Sequence, residues 1–134
     1  MNTILLSINP EHVENIINGS KKYEFRRTKC KQKVEKILIY ATSPIKLVIG
    51  EVAVLEVLEG YKESVWSVTA KYSGISKAFY NEYYSGKQLA VAYKLGDVCT
   101  FPRPLSLKYL GIKTAPQSFM YLSSTVITKL LDVI

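Results

Sequence analysis

The segment from Asn9 to Gly19, NPEHVENIING, constrains the fold more than any other part of the chain. Asn9 can cap a helix, Pro10 suits the first helical position, and Glu11 complements the positive end of the helix dipole. Val13, Ile16 and Ile17 fall on one face, and Gly19 stands where a left-handed terminal residue is wanted. A helix is therefore predicted here. TILLSI (3–8), an apolar run of strand length, precedes it. KYEFRR (22–27) follows at once and alternates, with Tyr23 and Phe25 on one side and Lys22, Glu24 and Arg26 on the other.

KILIYAT (36–42) and LVIGEVAVLEVLE (47–59) read as further strands, rich in β-branched residues. Gly50 within the second marks a bulge or a close backbone approach. Two short helices follow in YKESVWSVTAKYSG and ISKAFYNEYYSG, each closed by Ser-Gly. KQLAVAYKLGDVCTF (87–101) reads as a hairpin around Gly96-Asp97. A loop, a short strand and a turn of helix lead to a last helix near STVITKLLDVI. The order β-α-β-β-β-α-α-β-β-α, with short links between strands, predicts an α+β fold: a small mixed β-barrel flanked by helices.

A chain of 134 residues is the size of one domain, taken here as 1–134, and it can bury a core without staples. Cys30 and Cys99 are isolated, which argues against a zinc site of usual spacing and against a disulfide scaffold. No metal or cofactor is expected, because no P-loop or dinucleotide-binding motif is present. The N-terminus lacks the pattern of a secretory leader, and no apolar run is long enough to span a membrane. The expectation is a cytoplasmic protein, monomeric and without membrane contact. A sequence pI of about 9.4 favours an anionic partner, nucleic acid first.

The charge is concentrated. Between Asn18 and Lys36 stand eight lysines and arginines against Glu24 and Glu35, a local balance of +6 within a chain of net charge +7. Such a cluster serves either to keep an edge strand soluble or to contact phosphate, and its density favours phosphate. Lys22, Arg27 and Lys29 are the expected backbone-contacting residues. Glu24 and Arg26, two apart on one strand face, can form an ion pair or share a ligand, although such a pair is most often an exposed one of roughly 0–1 kcal/mol. A carboxylate among so many cations stays ionised, which suits an acceptor or general base rather than a general acid. His12 has no partners for a catalytic triad and reads as a surface helix residue. Phe79, Tyr80, Tyr83 and Tyr84, at helical spacing, read as core and rim rather than as a base-stacking platform.

GSKKYEFR fits the pattern GxKxxExR, with Gly19, Lys21, Glu24 and Arg26, and follows a strand and a helix. IYATSPIKLVIGE (39–51) and PQSFMYL (116–122) extend the match. In this order the chain resembles the ASCH domain family of the PUA-like superfamily, named for homology to an activating signal cointegrator. The resemblance implies a PUA-like pseudo-barrel and a cleft that binds RNA or a nucleotide. It places Lys21, Glu24 and Arg26 in that cleft, with Thr42, Ser43 and Ser118 as further ligand contacts. One branch of the family hydrolyses acetylated cytidine nucleosides with a lysine, a threonine and a later carboxylate. Lys21 matches that lysine, but Glu24 replaces the threonine and KYSGIS (71–76) offers no acid. Asn9 also stands where relatives often carry a basic residue.

Three functions follow as expectations. The first is an RNA- or nucleotide-binding protein, a regulatory role included. The second is a hydrolase of a modified nucleoside or of RNA, with Lys21 and Glu24 as the catalytic residues and Glu24 as base. The third is a protein-interaction domain for an acidic partner.

Overall fold

The computed structural model describes residues 2–132. The order of elements is as expected: β1 (Asn2–Ile8), α1 (Pro10–Ile17), β2 (Tyr23–Arg26), β3 (Val34–Ala41), β4 (Leu47–Tyr61), α2 (Lys62–Thr69), α3 (Lys77–Tyr83), β5 (Leu89–Leu105), β6 (Phe119–Tyr121) and α4 (Ser124–Leu131). A single 3-10 turn, Ala70–Tyr72, extends α2. Six strands form one mixed sheet in the order β2-β5-β4-β3-β1-β6, curled into a half-barrel with helices on its flanks. Among the described residues only β1 and β3 pair in parallel.

The central strands are apolar on both sides because both faces are covered. Along β1, Ile4, Leu6 and Ile8 join one core cluster with Val13 and Ile16 of α1. Leu5 turns the other way, into a second cluster with Val126 and Leu130 of α4. β3 divides in the same manner, Ile37 and Ile39 to the first cluster and Leu38 and Tyr40 to the second. A third cluster holds α2 and α3 against β2 and β5 through Phe25, Val65, Tyr80, Tyr84, Ala90 and Ala92.

The predicted first helix forms as its signals require. The Asn9 side chain accepts from the Glu11 N–H, and Gly19 has φ +87°. Ile17 departs from the expected face and is 45% exposed, so Val13 and Ile16 alone anchor the helix. Gly50 lies beside a register shift in the pairing with β5, and a Cβ there would stand 2.5 Å from the Cys99 carbonyl oxygen. The close approach expected of this glycine is therefore present.

The hairpin expected at Gly96-Asp97 does not form. Val52 pairs with Val98 and Val54 with Leu95, so the two residues are absorbed in a bulge of one long strand. β4 supplies a partner along almost all of β5, and this continuous pairing overrides the local turn signal.

Candidate functional site

The strand–helix–strand unit at the start of the chain turns back on itself. The Arg26 Nη2 group, at the end of β2, donates to the Ser7 carbonyl of β1 at 3.0 Å. The segment between helices α2 and α3 closes over Lys21, whose Nζ donates to the Ser73 carbonyl at 2.7 Å. Between these elements lies a cavity of about 560 Å³, within the size range of small-ligand pockets. β1 contributes Ser7, α1 contributes Glu11 and His12, Lys21 comes from the segment before β2, β2 contributes Glu24, Phe25 and Arg26, and Gly74, Phe79 and Tyr83 complete the far wall.

Lys21, Glu24 and Arg26 thus meet, as the motif implied. Lys21 is 2% exposed and Glu24 6%. Glu24 Oε2 accepts from Arg26 Nη2 at 2.6 Å, and Oε1 stands 4.0 Å from Lys21 Nζ. The exposed pair that the spacing most often produces is here a buried one. Burial pushes the Lys21 ammonium below its ordinary pKa, and Arg26 adds to this while Glu24 opposes it. Burial also works against the Arg26 charge, but attraction and a hydrogen bond from Glu24 outweigh it and hold the guanidinium above its ordinary value. Buried Lys21 and largely buried Arg26 thus share one buried carboxylate, while Glu11, exposed in the first turn of α1, also lines the cavity. Around it stand Phe25, partly exposed Tyr83, and Phe79 at 49% exposure.

Gly74 fits this site for two reasons. Its φ is +71°, and a Cβ there would stand 2.7 Å from the Lys21 Cβ. Gly74→Ala is expected to cost about 1–2 kcal/mol from the left-handed backbone alone and to displace the lysine stem. Chemical denaturation should show the loss. A variant as stable as the wild type would contradict the packing described.

The remaining expected residues lie elsewhere. Thr42 and Ser43 are not among the residues lining the cavity, although the Thr42 N–H donates to the carbonyl of Ile8 in its wall. Ser118 is exposed and also outside the lining, in the segment whose Pro116 carbonyl accepts from Ser7 Oγ at 2.8 Å. Lys22, Arg27 and Lys29 are exposed. Lys22 lies over the Tyr72 ring, Arg27 donates to the Tyr83 carbonyl and stacks on its ring, and Lys29 pairs with Glu59 at 3.6 Å. Tyr80 and Tyr84 are core and Phe79 is rim, as the helical spacing indicated.

Sequence reasoning missed Ser7, Gly74 and His12 as cavity residues. Ser7 and Gly74 carry no signal in the sequence. His12 does line the cavity, so it is not the plain surface residue expected. The signal available was its place in the first turn of a helix that directly follows a strand.

The chain matches the ASCH domain family model over residues 6–98. An ASCH domain-containing ribonuclease from Zymomonas mobilis subsp. mobilis is 32% identical over 133 residues, covering 96% of this chain and 89% of that protein. The large ribosomal subunit protein uL22 of Ureaplasma parvum serovar 3 is 33% identical over 121 residues, covering 90% of this chain, which spans only 39% of that longer protein. The crystal structure of a tyrosine-to-phenylalanine mutant of the Zymomonas mobilis ASCH protein superimposes with a TM-score of 0.91 at 29% identity, covering 99% of both chains.

Proposed function

The chain belongs to the ASCH domain family, and we propose that it binds RNA by holding one unstacked nucleotide in the cavity of Lys21, Glu24 and Arg26. The observation that carries this reading is the convergence of buried Lys21 and largely buried Arg26 on the single buried carboxylate of Glu24 in the cavity wall. Glu24 alone pairs with both cations, and a phosphate offers each of them a further charged acceptor. The aromatic wall of Phe79 and Tyr83 suits a base splayed out of a single strand. Exposed Lys22, Arg27 and Lys29 flank the motif, positioned in sequence for the adjoining backbone. Thr42, Ser43 and Ser118 serve in this reading the neighbouring nucleotides rather than the one in the cavity.

Binding of a labelled single-stranded RNA should weaken steeply as salt rises. Lys21→Met and Arg26→Ala should each weaken it roughly ten- to a hundredfold, the worth of a charged hydrogen bond. Fluorescence anisotropy reads both effects. Affinity unchanged in both variants, with the fold intact by circular dichroism, contradicts the proposal.

A second reading, RNA cleavage, is favoured by the ribonuclease of Zymomonas mobilis that matches over most of its length. Glu24, the buried carboxylate of the cavity, is then the candidate base, and Lys21 and Arg26 stabilise charge developing on the phosphate. Under this reading Glu24→Gln abolishes RNA fragmentation but leaves RNA bound. Absence of fragments with the wild-type chain removes it.

A further inference from the structure

His12 is the only histidine of the chain. It stands in the first turn of α1, lines the cavity, and meets the Phe79 ring edge-on at 5.7 Å and 72°. Its Nδ1 is buried and has no hydrogen-bond partner among the described residues, whereas Nε2 is not enclosed in this way. A buried N–H without an acceptor is rarer than a buried acceptor without a donor. The burial of Nδ1 therefore favours the tautomer with the proton on Nε2, the nitrogen not buried in this way.

Protonation of the second nitrogen is disfavoured from several sides. It would bury an unpaired N–H and place a third cation near Lys21 and Arg26. It would also set that charge at the positive end of the α1 dipole. The groups around the ring are Glu11 on its own helix, Lys21 just before β2, Glu24 and Arg26 on β2, and Tyr83 beside Phe79 on α3. Burial first, then Lys21, and also Arg26 push His12 below the ordinary histidine value; Glu24 and Glu11 oppose the shift without reversing it. These influences favour the uncharged ring.

We propose that His12 is a neutral hydrogen-bond donor of the cavity, presenting Nε2–H to a phosphate oxygen of the nucleotide held beside Lys21 and Arg26. This assignment rests on the RNA-binding reading and adds a residue outside the GxKxxExR motif. A phosphate accepts through several oxygens and can meet a neutral donor and two cations together. His12 takes no proton from the ligand, so it is a binding residue and not a base.

A lone histidine makes the test direct. In the free protein at pH 7, long-range proton–nitrogen correlation spectra should show one imidazole, neutral and protonated on Nε2. Addition of a five-nucleotide single-stranded RNA should slow exchange of that proton. His12→Ala should weaken RNA affinity about tenfold or more. His12→Gln, whose amide N–H reaches the place of Nε2–H, should recover most of it. An imidazolium or an Nδ1–H ring at pH 7 overturns the assignment. So does His12→Gln binding as weakly as His12→Ala, or His12→Ala binding like wild type, with folds matched by melting temperature. If His12→Ala binds normally while Lys21→Met and Arg26→Ala do not, His12 falls and the RNA reading stands. If the wild-type chain binds no RNA, both fall.

Discussion

Glu24→Ala is expected to destabilise the fold by about 3–5 kcal/mol, the cost of leaving buried charge unpaired. Glu24 is 6% exposed and is the carboxylate partner of both Lys21 and Arg26. Lys21→Met should behave differently. It removes one buried cation, keeps a similar volume, and leaves the Glu24–Arg26 pair at 2.6 Å intact. Glu24 keeps a cation at hydrogen-bond distance, so no buried charge is left unpaired and only the Ser73 carbonyl loses its donor. The double variant should therefore recover part of the loss from Glu24→Ala, a coupling that a double-mutant cycle in urea measures. A loss below about 1 kcal/mol for Glu24→Ala, as for an exposed pair, would contradict the buried arrangement.

Tyr80→Ala should cost about 3–5 kcal/mol, as large-to-small changes of buried aromatics do. The ring is fully buried, packs on Phe25, Trp66 and Tyr84, and its hydroxyl donates to the Lys62 carbonyl at 2.8 Å. Because α3 carries Phe79 and Tyr83 of the cavity wall, the same variant should also weaken ligand binding. The hydroxyl leaves a signature at high pH. Burial, with Glu63 nearby, pushes Tyr80 from 10.0 up to about 12. The folded chain thus keeps this proton longer than the unfolded chain does, so stability present below pH 10 is lost as pH rises toward 12. Burial raises Tyr84 and Tyr93 in the same direction. Lys21 has the opposite sign, since its lowered value lets the folded state release a proton first. Tyr80→Phe should shrink the alkaline loss by roughly 2 kcal/mol at most, read from urea transitions at pH 8 and pH 11.5. An unchanged alkaline profile would show that the hydroxyl titrates as it does in water.

Local chemistry was legible in the sequence wherever it acts locally. The cap at Asn9, the left-handed Gly19 and the alternation of β2 depend on neighbours a few residues away, and the structure follows them. The family pattern brought Lys21, Glu24 and Arg26 into one group. The wall opposite them was not legible, because Ser73 meets Lys21 across 52 residues of chain. Gly96-Asp97 looked like a turn because its signal is local, whereas the partner that straightens it, β4, lies elsewhere in the chain. His12 was misread for a similar reason. Helical periodicity shows which residues share a face, and only the tertiary arrangement shows that β2 and α3 enclose this one.

The central claim is that a ribonucleotide occupies the cavity beside Lys21, Glu24 and Arg26. Crystals of the protein soaked with a mixture of ribonucleoside monophosphates test it most directly. Density is expected in the cavity, with a phosphate within hydrogen-bond reach of Lys21 and Arg26 and a base against Phe79 or Tyr83. Nucleotide density confined to the exposed basic stretch from Arg27 to Lys36, with the cavity empty, would contradict it.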